Sequence, residues 1–313
     1  MKRLLPFVVI AVLAMSLLPL GAQAADLTTY FERAASAEYS GEQVLTCKTP
    51  VGIRDTAARV QQKAGVIYVR AGVDGAPTIS AGAGTLAAQG PGGAAASIEF
   101  AAATRAPSGY TMSGVEQVTY LDRLSDRVSL STGGKSRVRL TFDQETGALL
   151  RSETLNADGS VYCTSKLTSF VAGTPEVAAG AAGGVRKVTK DSDFSSTVFP
   201  AKLGAFRRLD VYGWNDLGEM AYYSDGFFAF ALYHVDARFS VDSISGARQW
   251  EGKAGSYWRW FRPGTTTLVW DTTEGGMALH GDLPIDMQTT VLDGLPVPAK
   301  PNLISRILSL LGR

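Results

Sequence analysis

Histidine and cysteine are almost absent from this sequence of 313 residues, which contains only two of each. The two histidines, His234 and His280, lie far apart in the chain, and neither has a second histidine or a cysteine close to it. Zinc and other transition metals are usually held by such residues at short spacing. The sequence therefore argues against a metal site or a cofactor, and against catalysis by imidazole.

The motifs of common enzyme classes are also missing. Gly133-Gly134-Lys135-Ser136 resembles the end of a phosphate-binding loop, but Ser129 stands where that motif requires glycine. The G-x-S-x-G motif of a nucleophile elbow does not occur. Scattered carboxylates leave a hydrolase open as a minor alternative. The sequence favours a protein that is not an enzyme.

No charge of one sign predominates, because 30 lysines and arginines face 29 acidic residues and the formal net charge is +1. Nucleic-acid-binding proteins carry a strongly basic surface, so nucleic acid is not expected as a partner. After residue 24, no stretch reaches the ~18–20 consecutive apolar residues that span a bilayer. We therefore expect the mature chain to be peripheral to a membrane at most.

Residues 1–24 have the pattern of a secretory signal peptide. Lys2 and Arg3 precede an apolar stretch, and Ala22-Gln23-Ala24 ends it with the small residues of a cleavage site. The alternative is an uncleaved membrane anchor. The small-residue end favours cleavage after Ala24, which predicts a periplasmic protein.

An exported protein enters an oxidising compartment, where a disulfide between Cys47 and Cys163 can form and persist. Such a bond would close a long loop and stabilise the fold by roughly 4–5 kcal/mol. The alternative is two separate buried thiols, since the sequence does not give the distance between them.

Hydrophobic periodicity divides the mature chain into two units. Residues 26–39 carry apolar side chains at helical spacing, and alternating strands joined by turn residues follow as far as position 170. This series is typical of an antiparallel sheet. The segment 72–107 is rich in alanine and glycine, and we expect mostly loop there, with one strand around 97–103.

The second unit is more aromatic. Ser224-Asp225-Gly226 separates two strand-like runs and predicts a tight hairpin. A short helix is predicted over 284–295, and another over the C-terminal tail. The predicted organisation is a signal peptide (1–24), a larger domain (25–170), a linker (171–187), a smaller domain (188–299) and a C-terminal helix (300–313).

Three stretches resemble the RseB/MucB family of periplasmic sigma-factor regulators. They are residues 138–170 (VRLTFDQETGALLRSETLNADGSVYCTSKLTSF), residues 222–234 (YYSDGFFAFALYH) and residues 275–295, which contain HGDLP. Tyr39-Ser40-Gly41 fits the family pattern more loosely. The alanine- and glycine-rich segment 72–107 and the apolar tail do not match it.

The resemblance implies a mainly β (α+β) fold. The larger domain would be a half-open antiparallel barrel over a short helix, with an apolar cavity as in periplasmic lipoprotein carriers. The smaller domain would be an antiparallel sheet beside it. The family binds the periplasmic segment of a membrane-spanning anti-sigma factor, shields it from proteolysis and responds to envelope lipid or lipoprotein signals.

Partner contacts follow less directly from the sequence. The hairpin residues Tyr223, Asp225 and Gly226, with Tyr257 of a second aromatic strand, are candidate partner-binding residues, against the alternative of a plain turn. Lipid or lipoprotein acyl chains are candidate ligands, and a homo-oligomer is left open. The competing hypothesis is a periplasmic lipid or lipoprotein carrier, which a half-open barrel would serve equally well.

Overall fold

The computed structural model describes residues 25–49, 52–71, 78–82, 85–89, 95–99, 109–176, 185–187, 198–213, 218–237, 246–262, 265–281 and 283–299. The predicted signal peptide and the predicted C-terminal helix lie outside these residues. Within the described part of the chain, neither helix has the length and apolarity that crossing a membrane requires.

The strands form two sheets that are antiparallel apart from one short parallel pairing, and the larger is assembled from residues 39–187. Its thirteen strands are β1 (Tyr39–Thr49), β2 (Gly52–Lys63), β3 (Val66–Ala71), β4 (Thr78–Gly82), β5 (Thr85–Gln89), β6 (Ala95–Glu99), β7 (Thr111–Tyr120), β8 (Arg123–Thr132), β9 (Lys135–Asp143), β10 (Leu149–Leu155), β11 (Val161–Leu167), β12 (Val171–Ala172) and β13 (Val185–Lys187). The order is β13-β6-β5-β4-β3-β2-β1-β11-β10-β9-β8-β7, with β12 paired to β1. Because β7 and β13 do not pair with each other, the sheet is open.

Tight turns fix the register of neighbouring strands. Gly133 and Gly134 connect β8 to β9 with φ angles of 57° and 73°. A two-residue hairpin with positive φ at both positions matches the right-handed twist of its strands. The segment that resembles a phosphate-binding loop is therefore a β-hairpin turn.

The helix predicted near the start of the mature chain is confirmed as α1 (Ala25–Ser36). Its apolar face buries Leu27, Phe31 and Ala34 in one cluster with residues of β8 and β9. Phe31 meets Phe142 edge to face, with ring centroids 5.9 Å apart. The buried Gln62 amide donates to the Ala34 carbonyl near the helix end, where backbone acceptors lack helical partners.

The segment 72–107 differs from the expected loop, because β4, β5 and β6 lie within it. These strands extend the sheet from β3 by successive antiparallel pairing. Alanine and glycine have low strand propensity, but propensity depends on context, and here the backbone pairs with a strand already in place. The short β13 lies in the segment that was predicted as linker and pairs parallel with β6.

The smaller sheet is assembled from the second half of the chain and confirms the predicted hairpin. Its eight strands are β14 (Lys202–Leu203), β15 (Phe206–Gly213), β16 (Glu219–Ser224), β17 (Ala229–Val235), β18 (Arg248–Gly252), β19 (Gly255–Arg262), β20 (Thr265–Asp271) and β21 (Gly276–Gly281), in the order β14-β15-β16-β17-β21-β20-β19-β18. The helix predicted over 284–295 is α2 (Ile285–Leu292), which buries Met287 and Val291 against the inner face of this sheet. Mainly β architecture with two antiparallel sheets is thereby confirmed.

One apolar cluster continues from the first sheet into the second. Phe142 of β9 and Phe31 of α1 belong to the same cluster as Phe227 of the β16–β17 hairpin and Leu232 of β17. Burial of such large side chains is the main favourable term in folding. The two sheets are thus joined by a shared core.

Candidate functional site: the junction between the two sheets

The hairpin that the sequence singles out lies where the two sheets meet. The Asp225 carboxylate accepts hydrogen bonds from the backbone N–H groups of Phe227 (3.0 Å) and Phe228 (2.8 Å). Gly226 has a φ of 105°, which favours glycine, and its N–H donates to the Ser224 hydroxyl. The Ser-Asp-Gly sequence therefore shapes the turn through its own side chains.

The second carboxylate oxygen of Asp225 is bound by a residue of the larger domain. It accepts a 2.8 Å hydrogen bond from the hydroxyl of Tyr110, which directly precedes β7. Both side chains are buried. Polar groups withdrawn from water in this way depend on each other, because losing one leaves the other without a partner.

Burial sets the ionisation of this pair. It raises the pKa of Asp225, although hydrogen bonds from Phe227, Phe228 and Tyr110 oppose the change. Burial also raises the pKa of Tyr110, and the nearby Asp225 carboxylate adds to the effect. The phenol therefore remains a donor throughout the physiological pH range.

Aromatic rings close the junction around this hydrogen bond. The Phe227 ring meets Tyr110 edge to face at 4.7 Å between centroids, and it lies 6.1 Å from Phe31 of α1. Such pairs add about 0.5–1.5 kcal/mol beyond the area that they bury. Phe227 is thus held between two elements of the larger domain.

A second polar contact crosses the junction at α2. Arg137 of β9 donates to the Asp286 carboxylate at 2.5 Å and to the Leu155 carbonyl at 3.3 Å. The Arg137 side chain is only 9% exposed, whereas that of Asp286 is 37% exposed. Asp286 lies in the first turn of α2, where a negative charge also favours the helix dipole.

The structure places the other candidate partner-binding residues inside the smaller domain. Tyr223 is fully buried, stacks on Phe230 at 4.9 Å and donates to the Pro200 carbonyl at 2.7 Å. Tyr257 is also buried, between Trp250 and Trp270, and the strands β20 and β21 separate it from the hairpin. Their contact with a partner stays a prediction, and it would require these side chains to leave the core.

The disulfide predicted from the sequence is present. Cys47 of β1 and Cys163 of β11 face each other directly across neighbouring strands and are bonded. They lie in a small buried cluster with Leu45 and Tyr162. The bond therefore fastens the first strand of the larger sheet to one of its last.

The larger domain contains a small cavity next to β1, β2, β3 and β10. Part of its lining is apolar, at Tyr39, Val60, Ile67, Val69 and Leu150, and part is polar, at Gln43, Arg151, Ser152 and Ser165. The cavity measures about 30 Å³, which is room for about two water molecules. An acyl chain would need a wider opening, so lipid binding stays a prediction.

The two histidines lie apart. His234 of β17 faces Met277, whereas His280 of β21 faces Ala231, so their side chains lie on opposite faces of the smaller sheet. Among the described residues, no group of three or more His, Cys, Asp and Glu side chains is placed to hold a metal ion.

Sequence reasoning identified one half of the junction and missed the other. It found the Ser-Asp-Gly hairpin because turn chemistry is local. It missed Tyr110, Arg137 and Asp286, whose partners lie 115 or 149 residues away. A lone tyrosine beside a glycine, or an arginine within a strand, carries no signal of such a pairing.

Comparison with known proteins supports the fold. No protein-family model and no curated protein sequence matches the chain. Among solved structures, MucB in complex with MucA(peri) is 16% identical with a TM-score of 0.55, covering 89% of this chain and all of that one. MucB alone is also 16% identical, with a TM-score of 0.54, and the match covers 87% of this chain and 98% of that one. The MucA/MucB complex of Pseudomonas aeruginosa is 16% identical, with a TM-score of 0.53, and the match covers 89% of this chain and all of that one. The chain therefore has a MucB-like fold.

Proposed function

We propose that this chain is a periplasmic regulator that binds the periplasmic segment of a membrane-spanning anti-sigma factor. The observation that carries the proposal is a MucB-like fold over the full length of a MucB chain that is seen in complex with MucA(peri). The three sequence stretches that resemble the RseB/MucB family support the same conclusion. The protein acts by binding and is not an enzyme.

The finer steps belong to the same proposal. The signal peptide is cleaved after Ala24, and the mature protein shields its partner from proteolysis until an envelope lipid or lipoprotein binds. A ligand can control partner binding only if it favours a different conformation from the partner. The junction is where two such conformations would differ, because it joins the sheets through contacts at Tyr110 and Arg137.

Photo-crosslinking in the native envelope tests the proposal. Probes at Thr111 and Ile285 sit on exposed positions next to the two junction contacts, and a probe at the exposed Ile53 of β2 is the control. We expect the junction probes to capture a single-pass membrane protein with a cytoplasmic domain, identified by mass spectrometry. Adding the purified mature protein should then slow proteolysis of that partner's periplasmic segment.

The carrier hypothesis predicts a different result. Capture of lipoproteins or lipid alone, with stoichiometric lipid in the purified protein and its transfer to an acceptor, would favour a carrier and count against the regulator. The apolar part of the cavity, around Val60 and Val69, is the feature that such a ligand would use.

A further inference from the structure

The strand at one end of the larger sheet is open to water. β7 (Thr111–Tyr120) pairs only with β8 among the described residues, and none of its ten residues is buried. It contains neither proline nor lysine, with which proteins commonly protect an open edge. Its one charge, Glu116, is engaged by Arg127 of β8 at 3.3 Å. Such an edge can accept a further strand.

The turn between β7 and β8 decides which backbone groups face the open edge. Leu121 and Asp122 form a two-residue turn with φ angles of 52° and 59°, and Tyr120 pairs with Arg123 across it. Residues next to such a turn exchange their hydrogen bonds with each other, and bonded and unbonded pairs alternate from there. The β7 residues at even positions from 116 to 120 therefore bond to β8. Those at odd positions direct their N–H and C=O groups to the open edge: Val115, Gln117 and Thr119.

These three outward residues are symmetric about Gln117. In an antiparallel approach of a second copy, Gln117 faces the same residue of that copy, and Val115 faces Thr119 of that copy. All three then exchange backbone hydrogen bonds with the second strand. A pairing centred on Val115 would meet the irregularity between Met112 and Gly114, and one centred on Thr119 would meet the turn. Gln117 is therefore the centre that uses the whole edge.

The side chains suit the same register. Glu116 faces Val118 of the second copy and not its own counterpart, so like charges are not opposed. Val115 and Leu124 are exposed hydrophobic residues, at 48% and 54%. Leu124 pairs with Thr119 across β7 and β8, so it shares one face of the sheet with Thr119 and Val115. The pairing places Thr119 between its own Leu124 and Val115 of the second copy, which gathers these apolar side chains at the contact.

We propose that the β7 edge joins two copies of this chain, with the two β7 strands antiparallel and centred on Gln117. The larger sheets of the two copies then form one continuous sheet, and each copy covers the open edge of the other. The contact is isologous, so it closes at two copies. At its end, a Cβ added to Gly114 would meet nothing within 4 Å, which leaves room for Tyr120 of the second copy.

Single cysteines test this register in the full mature chain. Cys47 and Cys163 are bonded and buried, so an added cysteine supplies the free thiol. Gln117→Cys places two Cα atoms about 5.5 Å apart across the strands, within the range of a disulfide, and mild oxidation should give a linked dimer. Val115→Cys alone should give none, because four residues of strand, about 14 Å, separate it from its counterpart. Mixing it with Thr119→Cys should restore the link.

Sedimentation equilibrium of the mature protein measures the association itself. We expect a dimer that dissociates on dilution. Gln117→Pro removes an N–H that faces the open edge and keeps the hydrogen bonds to β8, so the dissociation constant should rise at least about tenfold. Gln117→Thr, the matched control, changes the same side chain but keeps the N–H and should leave the constant nearly unchanged. The cysteine variants test the proposal even where the proline variant fails to fold.

Several outcomes would overturn the proposal. They are a monomer at every concentration, equal dissociation constants for the proline and threonine variants, and a Val115→Cys link as efficient as that of Gln117→Cys. Benzoylphenylalanine at Gln117, irradiated in the native envelope, should join a second copy, and capture of a different protein in its place would also overturn it. No anti-sigma factor takes part in the measurements on purified protein, so their result is independent of the proposed function.

Discussion

The Tyr110 hydroxyl donates a 2.8 Å hydrogen bond to the Asp225 carboxylate, which lies 115 positions later in the chain. This hydrogen bond joins the two sheets. Both groups are buried, and the hydrogen bond gives each a partner in place of water. Together with the aromatic packing of Phe227 and the ion pair of Arg137 with Asp286, this contact holds the two sheets against each other. The hydrogen bond is therefore a direct target for measuring how strongly the domains are coupled.

Replacing Tyr110 with phenylalanine should destabilise the protein by about 1–3 kcal/mol, because one oxygen of the buried Asp225 carboxylate loses its donor. Urea unfolding of the mature chain measures this change. Tyr30→Phe is the matched control, since Tyr30 donates to Asp126, which also accepts from Gln144 and is half-buried. Its cost should be clearly smaller. Equal losses in the free energy of unfolding for the two variants would show that the Tyr110–Asp225 hydrogen bond stabilises the protein no more than the half-buried one does.

The raised pKa of Asp225 predicts a pH dependence of stability. The folded state keeps the proton to a higher pH than the unfolded state does, so the contribution of Asp225 to stability is largest below the ordinary carboxyl pKa. It falls as the pH rises through the folded-state pKa. Asp225→Asn should remove this fall while keeping the acceptor for Phe227 and Phe228. Unfolding titrations of both proteins between about pH 4 and pH 7 measure the difference, and parallel curves would refute the prediction.

Asp143 should change stability in the opposite direction. Its burial would raise the pKa, but hydrogen bonds from Arg123 and Thr146 outweigh it, and the net shift is downward. The stabilisation is therefore present above the ordinary carboxyl pKa and is lost as the pH falls through the folded-state value. Asp143→Asn should flatten this acid-side loss. An unchanged acid-side curve would show that Arg123 does not stabilise the carboxylate.

The sequence predicted what depends on neighbouring residues. The spacing of Leu27 and Phe31 indicated α1, and Ser224-Asp225-Gly226 indicated the β16–β17 hairpin, because helix periodicity and turn chemistry are local. The disulfide was predicted from the oxidising compartment and from the count of cysteines, since two cysteines allow only one intramolecular pairing.

What the sequence could not predict depends on distant partners. The strands β4, β5 and β6 form in a segment of low strand propensity because β3 offers a free edge. Tyr110 and Arg137 find their partners only after both sheets have formed. No period or spacing in the sequence encodes such contacts.

The Cys47–Cys163 bond should contribute roughly 4–5 kcal/mol, because it closes a long loop in the unfolded chain; the two cysteines are 116 positions apart. Mass spectrometry of the intact mature chain should show an increase of about 2 Da on reduction, since two thiols replace one disulfide. The double variant Cys47→Ala/Cys163→Ala should unfold at correspondingly lower urea concentration and should not respond to reductant. Equal masses before and after reduction would refute the bond.

The ion pair between Arg137 and Asp286 should show measurable coupling in a double-mutant cycle. Asp286→Ala leaves the Arg137 guanidinium without its carboxylate in a site where that side chain is only 9% exposed. We expect a coupling of about 1–2 kcal/mol, below the 3–5 kcal/mol for breaking a fully buried pair, because water reaches Asp286. The matched cycle on Arg127 and Glu116 involves a 3.3 Å pair with side chains 33% and 66% exposed. That cycle should give less than about 1 kcal/mol. Equal coupling in the two cycles would mean that the α2 contact does not fasten the smaller domain to the larger one.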